Sequence, residues 1–224
     1  MSTTPITRVA FVDDHTLVRT GLVGLVNRLG GYRVVLEADD GREFTKALPK
    51  GPNIDIAIVD LNMPIMDGYA TIAWLHKNHP HIKALALTFD ASESAAIRAV
   101  HVGARGFLLK NVKPAVFKEA LDSVRDTGYY GSEEGYNANE DRRSNYERQQ
   151  EKILSAITDR ELEFIKLACA PEEFTYMEIA DRMNIKPSTV EAHRKHVFDR
   201  FRIKSKAGLV IFAYRWGIVQ VVQG

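Results

Sequence analysis

The stretch Ile54–Gly68, IDIAIVDLNMPIMDG, limits the folds open to this chain more than any other. Ile54, Ile56, Ala57, Ile58 and Val59 form a short, nearly continuous apolar run, which predicts a strand buried on both faces of a parallel sheet. Asp60 ends that run. An acid after an apolar run is, taken alone, most often a solvated strand end or a helix cap, but the open end of a parallel sheet is also where ligands bind. Pro64 lacks an N–H and disfavours helix at Met63, while Asp67 is placed to cap a helix beginning near Gly68. The loop between strand and helix therefore holds Asp60 in place.

Strand-like and helix-like patterns alternate around this stretch. Strands are expected at Arg8 to Val12, Tyr32 to Ala38, Ile82 to Thr88 and Gly106 to Leu109. Helices are expected from about Thr16 to Leu29, Arg42 to Leu48, Gly68 to Asn78, Ser92 to Val102 and Lys113 to Arg125. Five βα units predict a doubly wound, flavodoxin-like parallel sheet in the order 2-1-3-4-5.

That topology gathers the strand ends into one crevice. The first strand brings Asp13 and Asp14, the third Asp60, the fourth Thr88 and the fifth Lys110. Converging carboxylates repel unless a cation sits among them, and an all-oxygen site with room for water and phosphate suits Mg²⁺. The metal keeps Asp60 ionised, Lys110 supplies a point charge for phosphoryl oxygens, and Thr88 a hydroxyl donor. Each residue alone has a structural explanation, but five of them at four strand ends form a coherent site for phosphoryl transfer.

VDDH at Val12 to His15, VDLNMPIMDG at Val59 to Gly68, LT at Leu87 and Thr88, and GARGFLLKNVKP at Gly103 to Pro114 resemble the receiver domain of bacterial two-component response regulators. The resemblance implies that Asp60 accepts phosphate from a sensor histidine kinase. It also implies that Asp14, Asp60 and the backbone carbonyl of Asn62 bind Mg²⁺, with Asp13 acting through water. Thr88 and Phe107 would be the switch pair, the ring following Thr88 inward. The family often has Gly where Ile65 stands, so the loop is expected to be stiffer.

The second half reads differently. Residues 128–152 are polar and charged and predict a linker, its latter part from about Asn139 open to helix. From Ile157 onward the pattern is helical. Thr158 and Glu161 form a capping box with Leu162, Ile165 and Leu167 behind it. Further helices are expected from about Thr175 to Met183, Pro187 to Phe201 and Ser205 to Trp216. Within Lys186–Lys206 seven basic residues (Lys186, Arg194, Lys195, Arg200, Arg202, Lys204, Lys206) face only Glu191 and Asp199, a local excess of +5 that the whole-chain net charge of +1 conceals. A solvated helix face looks the same by charge alone; helix, short turn and basic helix together indicate a helix-turn-helix.

TDRELEFIKLA and TYMEIADRMNIKPSTVEAHRKHVFDRFRIKSKAGLVIFA resemble the output domain of NarL/FixJ/LuxR-type regulators. By that resemblance Pro187–Arg200 is the recognition helix, with Glu191, Ala192, Lys195 and Arg194 towards the major groove. Ser188, Thr189, Lys204, Ser205 and Lys206 would lie near phosphates, and Val190, Val197, Phe198 and Phe201 in the core. Two departures stand out: Cys169–Tyr176 is longer and more acidic than the usual turn, and Lys186 occupies the position of a Ser or Thr cap.

The resulting expectation is a receiver at 1–127, a linker at 128–152 and an all-α, four-helix output domain at 153–224. Phosphorylation of Asp60 would control homodimerisation and binding to double-stranded promoter DNA, with Leu209, Val210, Phe212 and Ala213 as the dimer seam. One alternative keeps the output domain and makes the receiver a phosphorylation-independent interaction module. A further rival, a phosphatase with an Asp nucleophile, needs an acid two residues on, where this chain has Asn62. The only cysteine, Cys169, excludes an intrachain disulfide. The absence of a secretion-type leader and of a membrane segment leads to an expected cytoplasmic location; Gly208–Val222, interrupted by Arg215, is too short to span.

Overall fold

A computed structural model describes residues 5–130 and 142–220, with side chains of the later segment from 148 onward. By packing, the chain divides into two units, Met1–Tyr130 and Gly131–Gly224. The middle of the expected linker, 131–141, lies outside the described residues.

The first unit contains β1 (Thr7–Val12), α1 (Thr16–Arg28), β2 (Tyr32–Ala38), α2 (Gly41–Ala47), β3 (Ile56–Asp60), α3 (Gly68–Asn78), β4 (Lys83–Thr88), α4 (Glu93–His101), β5 (Gly106–Leu109) and α5 (Pro114–Thr127). The strands pair in parallel in the order β2-β1-β3-β4-β5, as the alternation of patterns predicts. β3 is buried along its whole length, which explains its unbroken apolar run. Side chains on successive positions face opposite sides: Ala57 and Val59 pack with Phe44, Ile72 and Leu75 of α2 and α3, while Ile56 and Ile58 pack with Val26 of α1 and Phe117 and Leu121 of α5. Burying Ile56 and Ile58 fully contributes about 1.5–3 kcal/mol each.

Local chemistry sets the helix ends. Asp67 accepts from the Ala70 amide at 2.8 Å and so starts α3. Gly68 has to be glycine: a Cβ there would lie 2.1 Å from the Asp60 carbonyl oxygen. The last turn of α2 tightens into a short 3₁₀ segment, Leu48–Lys50, around Pro49.

The second unit contains α6 (Arg142–Ser155), α7 (Asp159–Ala168), α8 (Tyr176–Met183), α9 (Pro187–Arg200) and α10 (Lys206–Arg215). The described end of the expected linker is thus helix α6, whose Gln150 donates to the Trp216 carbonyl at 2.9 Å. Its Arg, Glu and Gln content makes it a good helix former despite its polarity. Thr158 and Glu161 make both bonds of the expected capping box. Thr175 and Glu178 make a second one at α8, a T-x-x-E signal also present in the sequence. α9 starts with Lys186 making no side-chain cap and Pro187 at its first position.

Leu209, Val210, Phe212 and Ala213, the expected seam of α10, are buried, and so are Tyr214 and Arg215. Among the described residues no helix is long and apolar enough to cross a membrane.

Candidate functional site

The crevice at the carboxyl ends of β1, β3, β4 and β5 assembles the residues that the sequence distributes over almost a hundred positions. Asp13, Asp60 and Thr88 are buried, and Lys110 is buried between the first two. Its ammonium lies 2.8 Å from Asp60 Oδ2 and 2.9 Å from Asp13 Oδ2, and donates to Asp13 Oδ1 at 3.0 Å. The backbone fixes this placement, because the Lys110 amide continues the sheet ladder by donating to the Thr88 carbonyl at 2.7 Å. Similarly, the Leu61 amide donates to the Leu87 carbonyl at 3.0 Å, carrying the β3–β4 ladder one residue past Asp60.

Two further groups line the crevice. Asn62 donates from its backbone to Asp60 Oδ1 and from its side chain to Thr88 Oγ1, each at 3.3 Å, and the Asp90 amide donates to the same hydroxyl oxygen at 3.1 Å. Being an amide, the Asn62 side chain has no acidic proton to give. His15 was not legible as part of the site from the sequence, although its place directly after Asp14 was a signal. Its Nδ1 lies 2.9 Å from Asp14, 3.3 Å from Asp13 and 3.7 Å from Asp60. Its ring meets Phe89 edge-on at 6.1 Å, and Lys110 lies 5.1 Å from the same Phe89 ring.

Charge is in excess here. Asp13, Asp14 and Asp60 bring three carboxylates against the single ammonium of Lys110, and burial pushes the Asp60 carboxyl above its ordinary range against the lowering pull of Lys110 and the Asn62 amide. Asp13, Asp14, His15 and Asp60 each offer one ligand atom, all within 4.8 Å of one another. Buried Asp13 Oδ2 and Asp14 Oδ1 each lie 2.9 Å from one nitrogen, of Lys110 and of His15 respectively, so each oxygen keeps a further lone pair for a cation. Phe107, the expected partner of Thr88, is half-buried on β5 against the α2–α4 side of the core; β4–β5 register pairs it with Ala86, two residues before Thr88.

In the second unit α9 is anchored by Val190, Val197 and the following Phe201, all buried, while Phe198 is only half-buried. Ser188, Thr189, Glu191, Ala192 and Lys195 are exposed on the helix, as are Lys204 and Ser205 beyond it. Two expected DNA-facing residues are otherwise engaged. Lys206 donates to the Phe174 carbonyl at 3.4 Å, which ties the long α7–α8 connection to α10. Arg194 is half-buried over the rings of Phe198 and Tyr176 and pairs with Glu191 at 3.2 Å. That clamp depends on α8 delivering Tyr176, which spacing within α9 cannot reveal.

Comparisons with known proteins agree with both halves. Residues 9–122, just over half of the chain, match the response regulator receiver domain family, and residues 155–213 match the luxR family of bacterial regulatory proteins. The chain is 28% identical over 214 residues to the response regulator GacA of Pseudomonas viridiflava, covering 95% of this chain and 97% of that protein. It is likewise 28% identical to the response regulator VraR of Staphylococcus aureus, covering 95% and 99%. Among solved structures, a LuxR-family two-component response regulator from an Aurantimonas species superposes with a TM-score of 0.52 at 30% identity, covering 55% of this chain and 87% of that one. With an acidic crevice on a 2-1-3-4-5 sheet followed by a helix-turn-helix, this chain belongs to the two-component response regulators, as a receiver domain joined to a LuxR-type DNA-binding domain.

Proposed function

We propose that Asp60 is the phosphoacceptor and that its phosphorylation by a sensor histidine kinase controls dimerisation and binding to promoter DNA. The observation that carries this reading is the pairing of buried Asp60 with Lys110 at 2.8 Å beside two further aspartates and the Thr88 hydroxyl. The phosphoryl group passes from a phosphohistidine protonated on its other ring nitrogen to an Asp60 oxygen as the N–P bond breaks, leaving neutral imidazole on the donor and an acyl phosphate here. Lys110 then exchanges a carboxylate oxygen for a phosphoryl oxygen, and the Thr88 hydroxyl, which now accepts from Asn62 and Asp90, turns to donate.

The donor set fits Mg²⁺. Asp13, Asp14 and Asp60 bring hard carboxylate oxygens to one place and leave two negative charges unbalanced by Lys110. Asp14, Asp60 and the Asn62 backbone carbonyl would hold the ion, with Asp13 reached through water. When bound, it supplies charge neutralisation between the carboxylate and the incoming phosphoryl group.

The buried state of α10 adds a requirement. Pairing through Leu209, Val210, Phe212 and Ala213 needs these side chains uncovered first, so phosphorylation would act by favouring a state in which α10 is exposed. In that state Ser188, Thr189, Lys204 and Ser205 serve the DNA backbone, and Glu191, Ala192 and Lys195 face the bases. DNA binding and sedimentation of the full chain with Mg²⁺ and acetyl phosphate test this, alongside Asp60→Asn. Tighter binding and a dimer in the wild type, both absent in Asp60→Asn, support it. Identical binding in all samples overturns it.

A further inference from the structure

Among its basic residues α9 carries two exposed acids, Glu191 and Asp199, of which Glu191 lies near the start of the helix. Glu191 is 54% exposed, and a carboxylate on such a surface faces repulsion from DNA phosphates. The structure shows how that repulsion is offset. Glu191 Oε2 accepts from Arg194 Nη1 at 3.2 Å, while among the described residues Oε1 accepts nothing. Arg194 is itself fixed. Its guanidinium lies 5.0 Å from the Phe198 ring and 5.7 Å from the ring of Tyr176. Those contacts hold a planar cation against the body of the domain instead of letting it reach outward.

We infer that Arg194 makes no DNA contact of its own, but positions Glu191 so that its free oxygen reads a cytosine in the major groove of each half-site. This rests on the reading of α9 as the groove helix. The choice of base follows from the acceptor-only chemistry of a carboxylate. Cytosine presents its N4 amine as a donor; guanine presents two acceptors, thymine an acceptor and a methyl group, and adenine an acceptor beside its amine. Only cytosine offers a donor with no neighbouring acceptor to repel the charge. The Arg194 cation, one hydrogen bond away, neutralises the carboxylate towards the phosphates and restricts its rotamers before binding. Tyr176 connects the scaffold helix to this specificity, so a residue on α8 influences which base α9 prefers.

The test is selection from a randomised double-stranded DNA library by the full-length chain with Mg²⁺ and acetyl phosphate, followed by titration of the selected duplex and its single-base variants. The wild type is expected to prefer cytosine at one position per half-site by about five- to thirtyfold. Glu191→Ala should lose that preference and keep the others. Arg194→Met and Tyr176→Leu should each reduce preference at the same position at least threefold, with the slope of log affinity against log salt unchanged. Tyr176→Leu removes the ring and keeps an apolar side chain at a half-buried position, and circular dichroism verifies that the domain stays folded. Uniform weakening by Arg194→Met with a slope smaller by about one would make Arg194 a phosphate contact and overturn the inference. Retention of the cytosine preference in Glu191→Ala would do the same. Failure of the wild type to enrich any duplex would overturn the groove-helix reading as well.

Discussion

The crevice of the receiver and the outer face of α9 hold comparable numbers of charges in opposite physical states. In the crevice, Asp13, Asp60 and Lys110 are withdrawn from water and locked to one another at 2.8–3.0 Å. On α9, Lys195 and Glu191 stand in solvent. Dry charges are strongly coupled, so altering one disturbs all its neighbours; wet charges are screened, so each can be given to a ligand at little cost. A net charge of +1 for the chain contains no trace of this division.

The sharpest way to break the comparison is to remove a lysine from each side. Lys110→Ala leaves Asp13 and Asp60 buried without their counter-ion and should destabilise the receiver by about 3–5 kcal/mol in urea unfolding without divalent cations. Lys195→Ala should change stability by less than about 0.5 kcal/mol, and a comparable loss at both sites would remove the distinction.

Each region also holds one local choice that a chain selected for stability alone would not make. Ile65, in the β3–α3 loop, adopts φ 66° with a β-branched side chain that is 73% exposed. Replacing it with Gly should raise receiver stability by about 1 kcal/mol, measured by thermal unfolding. On α9 the corresponding choice is Lys186, which occupies the cap position without capping. Lys186→Ser should add roughly 0.5–1 kcal/mol to the output domain, read from hydrogen exchange of the α9 amides.

The smallest effect concerns Glu161 at the start of α7. Burial pushes its carboxyl up, but the Thr158 amide and hydroxyl and the Arg200 guanidinium outweigh burial and hold it below the usual range. Its contribution is therefore complete above the ordinary glutamate value of about 4.3 and is lost as pH falls through the lower native value. Protection of the α7 amides in the wild type should converge on that of Glu161→Gln below that value and exceed it above.

Much of this was legible in the sequence because it depends on local chemistry. The apolar run into Asp60, the Asp67 cap, the Thr158–Glu161 box and the Pro187 start of α9 each follow from a few adjacent residues. Strand order followed from alternation, and the crevice from strand order. What stayed hidden depends on side chains meeting across elements. His15 reaches Asp60 only because β1 and β3 are neighbours, and Arg194 turns away from the outer face of α9 because Tyr176 arrives from α8. The burial of α10 is equally nonlocal: its apolar residues show that it packs, without showing on how many sides.

The Gly68 amide donates to the Leu61 carbonyl at 3.0 Å, and there is no room for a methyl group between helix and strand at that point. Residues 61–68 thus form a clasped ring whose circumference is set by a single bond. Such a ring can exchange outward side chains, such as that of exposed Ile65, but an inserted or deleted residue would open the clasp and unseat Asp60. Homologues of this chain should therefore vary here by substitution at constant length and place their insertions elsewhere, so that spacing in this loop is a more durable ancestral mark than its composition.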